Sequence, residues 1–226
     1  MPKSSPVRST VKRSPRPAPA RVAAILRGLD AAYPHADCAL DHSSPWELLV
    51  ATILSAQCTD ARVNQVTPAL FRQFPTVEAM AAAGLEAIEK TIQSTGFFRN
   101  KAKSIQGAAR KVLGAFHGDV PRTLAELITL PGVARKTANV VLGVGFGKAE
   151  GIVVDTHVFR IARRLELAQG ETPQKVEQEL LRILPRERWI GFSHQIIHHG
   201  RRVCMARNPQ CGICPLEPLC HAKDKR

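Results

Sequence analysis

The sequence predicts an all-α protein, and three observations support that class. Aromatic residues make up only 5% of the 226 residues, and Ala, Leu, Ile and Val provide most of the apolar side chains. This balance favours helices over β-sandwiches. From residue 21 onward, apolar residues recur at helical spacing between Gly and Pro breaks, and no segment alternates convincingly as a strand would. The apolar share of 44% excludes a wholly disordered chain, and without an apolar run of about 18 residues no membrane span is expected.

Local start and stop signals define the helices in order. Ser44 and Thr123 each precede a Glu by three residues in a capping box, and Thr172 precedes a proline at the first helical position. The helix opened by Ser44 is expected to run to about Gln57, and the one opened by Thr123 must stop before Pro131. The remaining predicted helices span 21–33, 61–74, 76–83, 85–94, 99–116, a segment from 133 to the glycines at 143–147, 156–167, 173–184 and 187–200.

Charge is the first indication of a partner. Lys and Arg number 32 against 19 Asp and Glu, which gives a net charge of +13 and favours a polyanion such as nucleic acid. Residues 1–21 hold six cations, no acid and five prolines, so residues 1–19 are predicted to be a disordered basic tail. No hydrophobic stretch follows these charges, so a bacterial cytoplasmic, nucleoid-associated location is expected rather than export. An organellar or nuclear address stays open, because the tail composition also fits a transit peptide.

Residues 127–137 are predicted to form a helix, a tight turn and a second helix. Pro131 ends the first helix, Gly132 gives the turn its conformational freedom, and the second helix begins with free N–H groups. A phosphate could bind these groups without any contact to a base, which would give sequence-independent DNA binding. An ordinary αα-corner is the alternative interpretation, because Pro-Gly turns are common.

Three residues near this turn could carry chemistry. Lys136 lies in the first turn of the second helix, where the helix dipole disfavours a cation, and a neutral lysine is a nucleophile for Schiff-base chemistry; a phosphate contact is the alternative. Asp155, nineteen residues later, could be a helix N-cap or an electrostatic partner of a cationic intermediate near Lys136. His157 is either a phosphate donor or a surface histidine.

Four of the six cysteines fall within a 17-residue window and follow the pattern C-x6-C-x2-C-x5-C. They are Cys204, Cys211, Cys214 and Cys220. Zinc sites usually use two closely spaced pairs, and only one such pair is present. One compact loop with four thiolates suits a [4Fe-4S] cluster, and zinc is the alternative.

Four ordered motifs together resemble those of the endonuclease III family. They are LPGVARKTAN at 130–139, VDTH at 154–157, LSAQCTD at 54–60 and the C-terminal cysteine pattern. Members of this family are helix-hairpin-helix DNA glycosylases with a [4Fe-4S] cluster. The resemblance covers roughly residues 20–222, and the compatible spacing of four motifs makes it specific.

The resemblance implies two helical lobes with a DNA-binding cleft between them. The six-helix barrel lobe would span 38–149, and the cluster lobe would combine 20–37 with 150–222. It also implies a monomer that removes oxidised pyrimidines from duplex DNA during base excision repair, after flipping the damaged nucleotide out of the stack. Lys136 would attack the anomeric carbon and expel the base, and the Schiff base would permit β-elimination at the abasic site. Asp155 would stabilise the cationic sugar and assist proton transfers.

By the same resemblance, Gln57 and Phe97 would fill the gap that base flipping leaves. A helix-end Gln and a core Phe are the alternatives. The other residues placed against DNA are Gly132, Ala134, Arg135, Thr137, His157 and Arg207. The hairpin would also bind a monovalent cation through the main-chain carbonyls of Ile128, Leu130 and Val133.

Three positions depart from the family pattern. Phe97 stands where leucine is frequent, and the loop 205–210 has a single basic residue, Arg207. Ala134 replaces the usual hairpin glycine, which would strain the backbone if that position needs a positive φ.

The leading functional hypothesis is a bifunctional DNA glycosylase and abasic-site lyase. A monofunctional glycosylase of the same fold is one alternative, although such enzymes generally lack a lysine at the position of Lys136. A non-catalytic DNA-binding paralogue is the other, and the joint presence of Lys136 and Asp155 argues against it.

Overall fold

The computed structural model describes residues 17–225, and that part of the chain forms eleven α-helices and no β-strand. The predicted all-α class is therefore confirmed. Within the same residues, no helix is long and apolar enough to cross a membrane. The helices are α1 (Pro19–Ala32), α2 (Pro45–Leu54), α3 (Asp60–Gln73), α4 (Val77–Ala82), α5 (Leu85–Ile92), α6 (Phe98–Phe116), α7 (Leu124–Leu127), α8 (Arg135–Val140), α9 (Thr156–Arg164), α10 (Pro173–Leu181) and α11 (Trp189–Arg202).

The predicted tail lies mostly outside the described residues. Residues 1–16 are not described, and Pro19, which was assigned to the tail, already begins α1.

The capping signals act where the sequence predicts them. The side chain of Ser44 accepts from the Glu47 amide at 3.2 Å, and that of Thr123 accepts from the Glu126 amide at 3.3 Å. The Thr123 hydroxyl also donates to the Glu126 carboxylate at 2.6 Å. The two bonds from backbone amides each satisfy an otherwise unpaired N–H group in the first turn of a helix.

The prediction that α2 extends to Gln57 is wrong. The helix ends at Leu54, and Gln57 has a φ of 53° in the left-handed region. A helix cannot continue through a residue of that conformation. The helix after Gly132 also differs from its prediction, because α8 widens at Val141–Gly145 into one π-helical turn.

Two buried hydrophobic clusters organise the helices. The first draws its side chains from residues 40–142, and the second combines residues of α1 with residues 152–216. The N-terminal helix thus packs with the C-terminal half of the chain, where Arg188 donates to Asp30 of α1 at 2.7 Å. The segment between α8 and α9 connects the two clusters. Lys136 lies on α8, before this segment, and Asp155 is its last residue before α9.

Candidate active site and metal centre

The hairpin between α7 and α8 depends on one glycine. Gly132 has a φ of 76°, and a Cβ at this position would lie 2.6 Å from the Ser104 Cβ of α6. Ala134 has a φ of −89°, which any residue adopts. The strain expected at Ala134 is therefore absent, because the turn places its positive φ two residues earlier.

The N-terminus of α8 is open to a ligand. Its N-cap is Ala134, and no side chain of the described residues caps it. Gly132 and Ala134 are exposed and Thr137 is half-buried, so the backbone N–H groups of the first turn face solvent. Such groups attract anions, and a phosphate fits them.

Lys136 is exposed on α8. Arg135 and Asn139, on either side of it, form hydrogen bonds to α10. The buried carboxylate of Glu177 on α10 accepts from Arg135 Nε at 2.9 Å and from an Arg135 terminal nitrogen at 3.1 Å. It also accepts from Asn139 Nδ2 at 3.1 Å. We call these three residues the Glu177 junction. Because it holds the residues on both sides of Lys136, it restricts how that lysine can move.

Asp155 is the N-cap of α9. Its Oδ1 accepts from the amides of His157 and Val158, each at 2.8 Å. The structural role considered for Asp155 is therefore present, and Oδ2 has no hydrogen-bond partner among residues 17–225. One carboxylate oxygen remains available for a cationic group.

The loop that carries Asp155 begins against the Glu177 junction. A Cβ at Gly151 would lie 2.4 Å from both Asn139 Nδ2 and Glu177 Oε1, so only a glycine permits this approach. Gly151 precedes Asp155 by four residues. The junction thus brings the helix of Lys136 and the loop of Asp155 together.

His157 is not a plain surface histidine. It is half-buried, and its Nδ1 would be 2.6 Å from a Cβ at Gly200 of α11. Arg160 approaches the same nitrogen at 3.3 Å. Burial lowers the pKa of His157, which favours the neutral ring.

Gln57 and Phe97 share two features. Both are exposed, and both have left-handed backbone, with φ values of 53° and 48°. Phe97 is 64% exposed, so the alternative of a core residue is wrong for this side chain. The adjacent Phe98 packs against the first cluster instead.

Sequence reasoning missed Glu177 and Lys101. Glu177 follows Val176 on the face of α10 that also buries Leu180, and a carboxylate within an apolar face was the available signal. Lys101 is buried on α6, beside Ala102 and on the same helix face as Ile105. A lysine at a core position is rarely unpaired, and this pattern was visible in the sequence.

The four clustered cysteines line one cavity that is partly open to solvent. Arg164 donates to Cys204 Sγ at 3.4 Å, and His199 Nε2 lies 3.6 Å from Cys214 Sγ. In the described part of the chain, no three His, Cys, Asp or Glu side chains converge closely enough for a single metal ion. Four thiols that line one cavity are a donor set that suits a multinuclear group.

Backbone contacts hold the loop between the first two clustered cysteines. Arg164 donates to the Met205 carbonyl at 2.8 Å, and Arg160 donates to the Cys204 carbonyl at 2.8 Å. The Gln210 amide donates to the Val203 carbonyl at 3.0 Å. Arg207 is exposed within this loop, so its side chain is presented to solvent from a fixed backbone.

Comparisons with known proteins identify the family of this arrangement. Residues 50–186 match the HhH-GPD superfamily of base excision DNA repair proteins. Residues 204–220 match the iron-sulfur binding domain of endonuclease III. The second match begins and ends on clustered cysteines, and it identifies the metal centre as an iron–sulfur site rather than a zinc site.

Individual relatives agree over most of the chain. Endonuclease III from Synechocystis sp. is 55% identical over 200 residues, which cover 88% of this chain and 91% of the relative. The Escherichia coli protein of the same name is 43% identical over 201 residues, covering 89% and 95%. A solved structure of a trapped endonuclease III–DNA covalent intermediate matches with a TM-score of 0.86 and 43% identity, covering 91% and 96%. The chain therefore belongs to the endonuclease III family of base excision DNA repair enzymes.

Proposed function

We propose that Lys136 is the nucleophile and Asp155 the charged partner of a DNA glycosylase with abasic-site lyase activity. The Glu177 junction is the observation that carries this assignment, because it holds Arg135 and Asn139 beside Lys136 and packs against Gly151 before Asp155. Lys136 is exposed, so DNA can reach its amine. A solved structure similar to this chain is a trapped endonuclease III–DNA covalent intermediate, which supports covalent chemistry here.

The proposed reaction passes through one covalent bond between Lys136 and DNA. With the damaged nucleotide flipped out, the Lys136 amine attacks the anomeric carbon and gives up a proton, and the base departs with the electron pair of its glycosidic bond and takes up a proton. The C1′–O4′ bond of the sugar ring then breaks, O4′ takes a proton, and C1′ and the Lys136 nitrogen form a Schiff base. This Schiff base makes the C2′ proton acidic. Loss of that proton expels the 3′ phosphate by β-elimination, and water then hydrolyses the imine and frees Lys136.

Asp155 would stabilise the positive charge that develops on the sugar. Its Oδ1 is engaged by two helix amides, which hold the carboxylate in place, while Oδ2 can face the cation. A pre-positioned charge of this kind contributes to catalysis without reorganisation during the reaction.

We propose that the substrate is duplex DNA with oxidised pyrimidines, bound by a monomer. The exposed Gln57 and Phe97 would enter the stack when the nucleotide is flipped. The open N-terminus of α8 at Ala134, with Arg135 and Thr137, would bind a backbone phosphate. The carbonyls of Ile128, Leu130 and Val133 would bind a monovalent cation there. His157 and Arg207 complete the proposed DNA contacts.

We propose that the iron–sulfur site holds a [4Fe-4S] cluster on Cys204, Cys211, Cys214 and Cys220. The cavity that all four thiols line supports this choice, as does the Arg164 N–H group that donates to Cys204, because such bonds stabilise thiolate ligands. The bound cluster would supply structural cross-links that fix the loop carrying Arg207. The bacterial relatives support action on the bacterial chromosome.

Borohydride trapping tests the catalytic assignment. The protein is incubated with duplexes that contain an oxidised thymine or an abasic site, and borohydride reduces any imine to a stable adduct. We expect an adduct on both duplexes for the wild type and none for Lys136→Gln, which keeps DNA binding. An adduct that survives Lys136→Gln would contradict the assignment.

A further inference from the structure

Lys101 is a buried cation that the proposed chemistry does not use. Its side chain is 5% exposed at the start of α6. The ammonium donates to the Leu54 carbonyl at 2.8 Å and to the Thr95 carbonyl at 2.7 Å. It forms no ion pair with a carboxylate among the described residues, and burial lowers the pKa of this amine.

The two carbonyls belong to the segments that carry Gln57 and Phe97. Leu54 is the last residue of α2, three residues before Gln57, and Thr95 ends a 3-10 turn two residues before Phe97. C-terminal helix carbonyls have no partner within their own helix. The Lys101 ammonium therefore connects the starts of two loops, at Leu54 and Thr95, which lie 41 positions apart in the sequence.

Both loops need an external constraint. The left-handed backbone of Gln57 and Phe97 is unfavourable for residues other than glycine and persists only where surrounding structure enforces it. An ammonium can donate three hydrogen bonds without accepting any. Lysine therefore suits a buried point where two carbonyls from separate loops meet.

We propose that Lys101 is a positioning residue for base flipping, which holds the loops of Gln57 and Phe97 at a fixed separation so that both side chains enter the DNA stack together. The proposal rests on the proposed function, since it assumes that these two residues fill the flipped-out gap. Lys101 itself touches neither the substrate nor the reacting atoms.

The test compares a step that requires flipping of a base with one that does not. Lys101→Met keeps the apolar stem and removes both hydrogen bonds, and Lys103→Met removes an exposed charge of the same helix. For Lys101→Met we expect single-turnover release of an oxidised thymine to fall about tenfold to a hundredfold. Trapping on a preformed abasic site should change far less, and Lys103→Met should behave as the wild type in both assays.

Fluorescence of 2-aminopurine opposite the lesion reports flipping directly. In a Lys136→Gln background, which stops the chemistry, Lys101→Met should reduce the fluorescence rise on binding. An equal loss on both substrates, or an unchanged fluorescence rise, would overturn the proposal. Absence of an adduct with the wild-type protein would instead contradict the lyase chemistry, so the two failures are distinguishable.

A second variant covers the case in which Lys101→Met does not fold. Lys101→Gln retains an amide that can donate to one of the two carbonyls, so an intermediate loss of base release is expected. Combined with Gln57→Ala and Phe97→Ala, it should cause no further loss of base release. Full additivity would show that Lys101 acts elsewhere and would overturn the proposal.

Discussion

Replacing Glu177 by Gln should loosen the Glu177 junction and slow the chemistry at Lys136. The carboxylate is 5% exposed and accepts three hydrogen bonds, two from Arg135 and one from Asn139. A Gln whose oxygen takes the place of Oε1 can still accept from Asn139 and from the Arg135 terminal nitrogen, but its NH₂ group would face the Arg135 Nε donor. The change therefore removes the charge and one hydrogen bond to Arg135 and leaves two donors opposed.

The size of the effect follows from these contacts. A hydrogen bond to a charged group stabilises by about 1.5–3 kcal/mol, but the Arg135 side chain is 40% exposed, and water can replace part of what it loses. We expect unfolding free energy to fall by about 2 kcal/mol, which for a chain of this size lowers Tm by about 4–8 °C. Borohydride trapping should slow about tenfold, because a small misplacement of a nucleophile is costly.

Glu171→Gln is the matched control, since it removes the same charge from an exposed site just before α10. Thermal melting by circular dichroism and trapping on an abasic-site duplex give the two readouts. A double-mutant cycle with Arg135→Gln should show coupling, because the residues share the same hydrogen bonds. If Glu177→Gln melts and reacts as Glu171→Gln does, the Glu177 junction does not position Lys136, and the reasoning fails.

Three further predictions address the charge at the site, the pH dependence of folding and the basic N-terminus. Asp155→Asn should abolish base release, but its Tm should be near that of the wild type because Asn caps helices as well as Asp does. Asp155→Ala should abolish base release and also lower the free energy of unfolding by about 1 kcal/mol. Arg188 holds the pKa of Asp30 below its ordinary 3.8, so this carboxylate stabilises the fold above about pH 4 and its contribution is lost as pH falls through the folded pKa. Melting at pH 7 and pH 3 should therefore differ less for Asp30→Asn than for the wild type, and an equal difference would exclude this source of acid sensitivity. Deleting residues 1–16, which hold five cations, should flatten the salt dependence of DNA affinity measured by fluorescence anisotropy; an unchanged slope would remove the tail from the binding surface.

Local sequence signals predicted the elements whose structure depends on near neighbours. The capping hydroxyls of Ser44 and Thr123 locate helix starts because each bond spans only three residues. The cysteine spacing likewise predicted a metal centre within one short loop. The end of α2 was not predicted, and the Leu54 carbonyl at that end accepts from the ammonium of Lys101, 47 positions later in the sequence.

The same limit applies to the candidate site. Motifs singled out Lys136 and Asp155 as candidates, but the Glu177 junction that brings their segments together joins residues 42 positions apart. Nothing local distinguishes Glu177 from a surface glutamate except its place on an apolar face. The exposure of Phe97 could not be predicted either, because two adjacent phenylalanines do not reveal which of them packs inward.

The hairpin provides a final pair of opposite predictions. Gly132 has a φ of 76°, and a Cβ added at this position would lie 2.6 Å from the Ser104 Cβ. Gly132→Ala should therefore lower the free energy of unfolding by about 2–3 kcal/mol through backbone strain and steric overlap with α6. Ala134 has a φ of −89° and restricts the unfolded chain more than glycine would. Ala134→Gly, which restores the usual family residue, should therefore destabilise by about 0.4–1 kcal/mol and leave base release unchanged.

Thermal melting distinguishes the two changes. A large loss of stability in Gly132→Ala and a small loss in Ala134→Gly would show that the hairpin requires a positive φ at Gly132 and not at Ala134. If Ala134→Gly instead raised Tm, the alanine would be strained in solution, and the hairpin backbone would differ from the one described. Because both changes lie within one hairpin turn, only the position of the positive φ separates their outcomes.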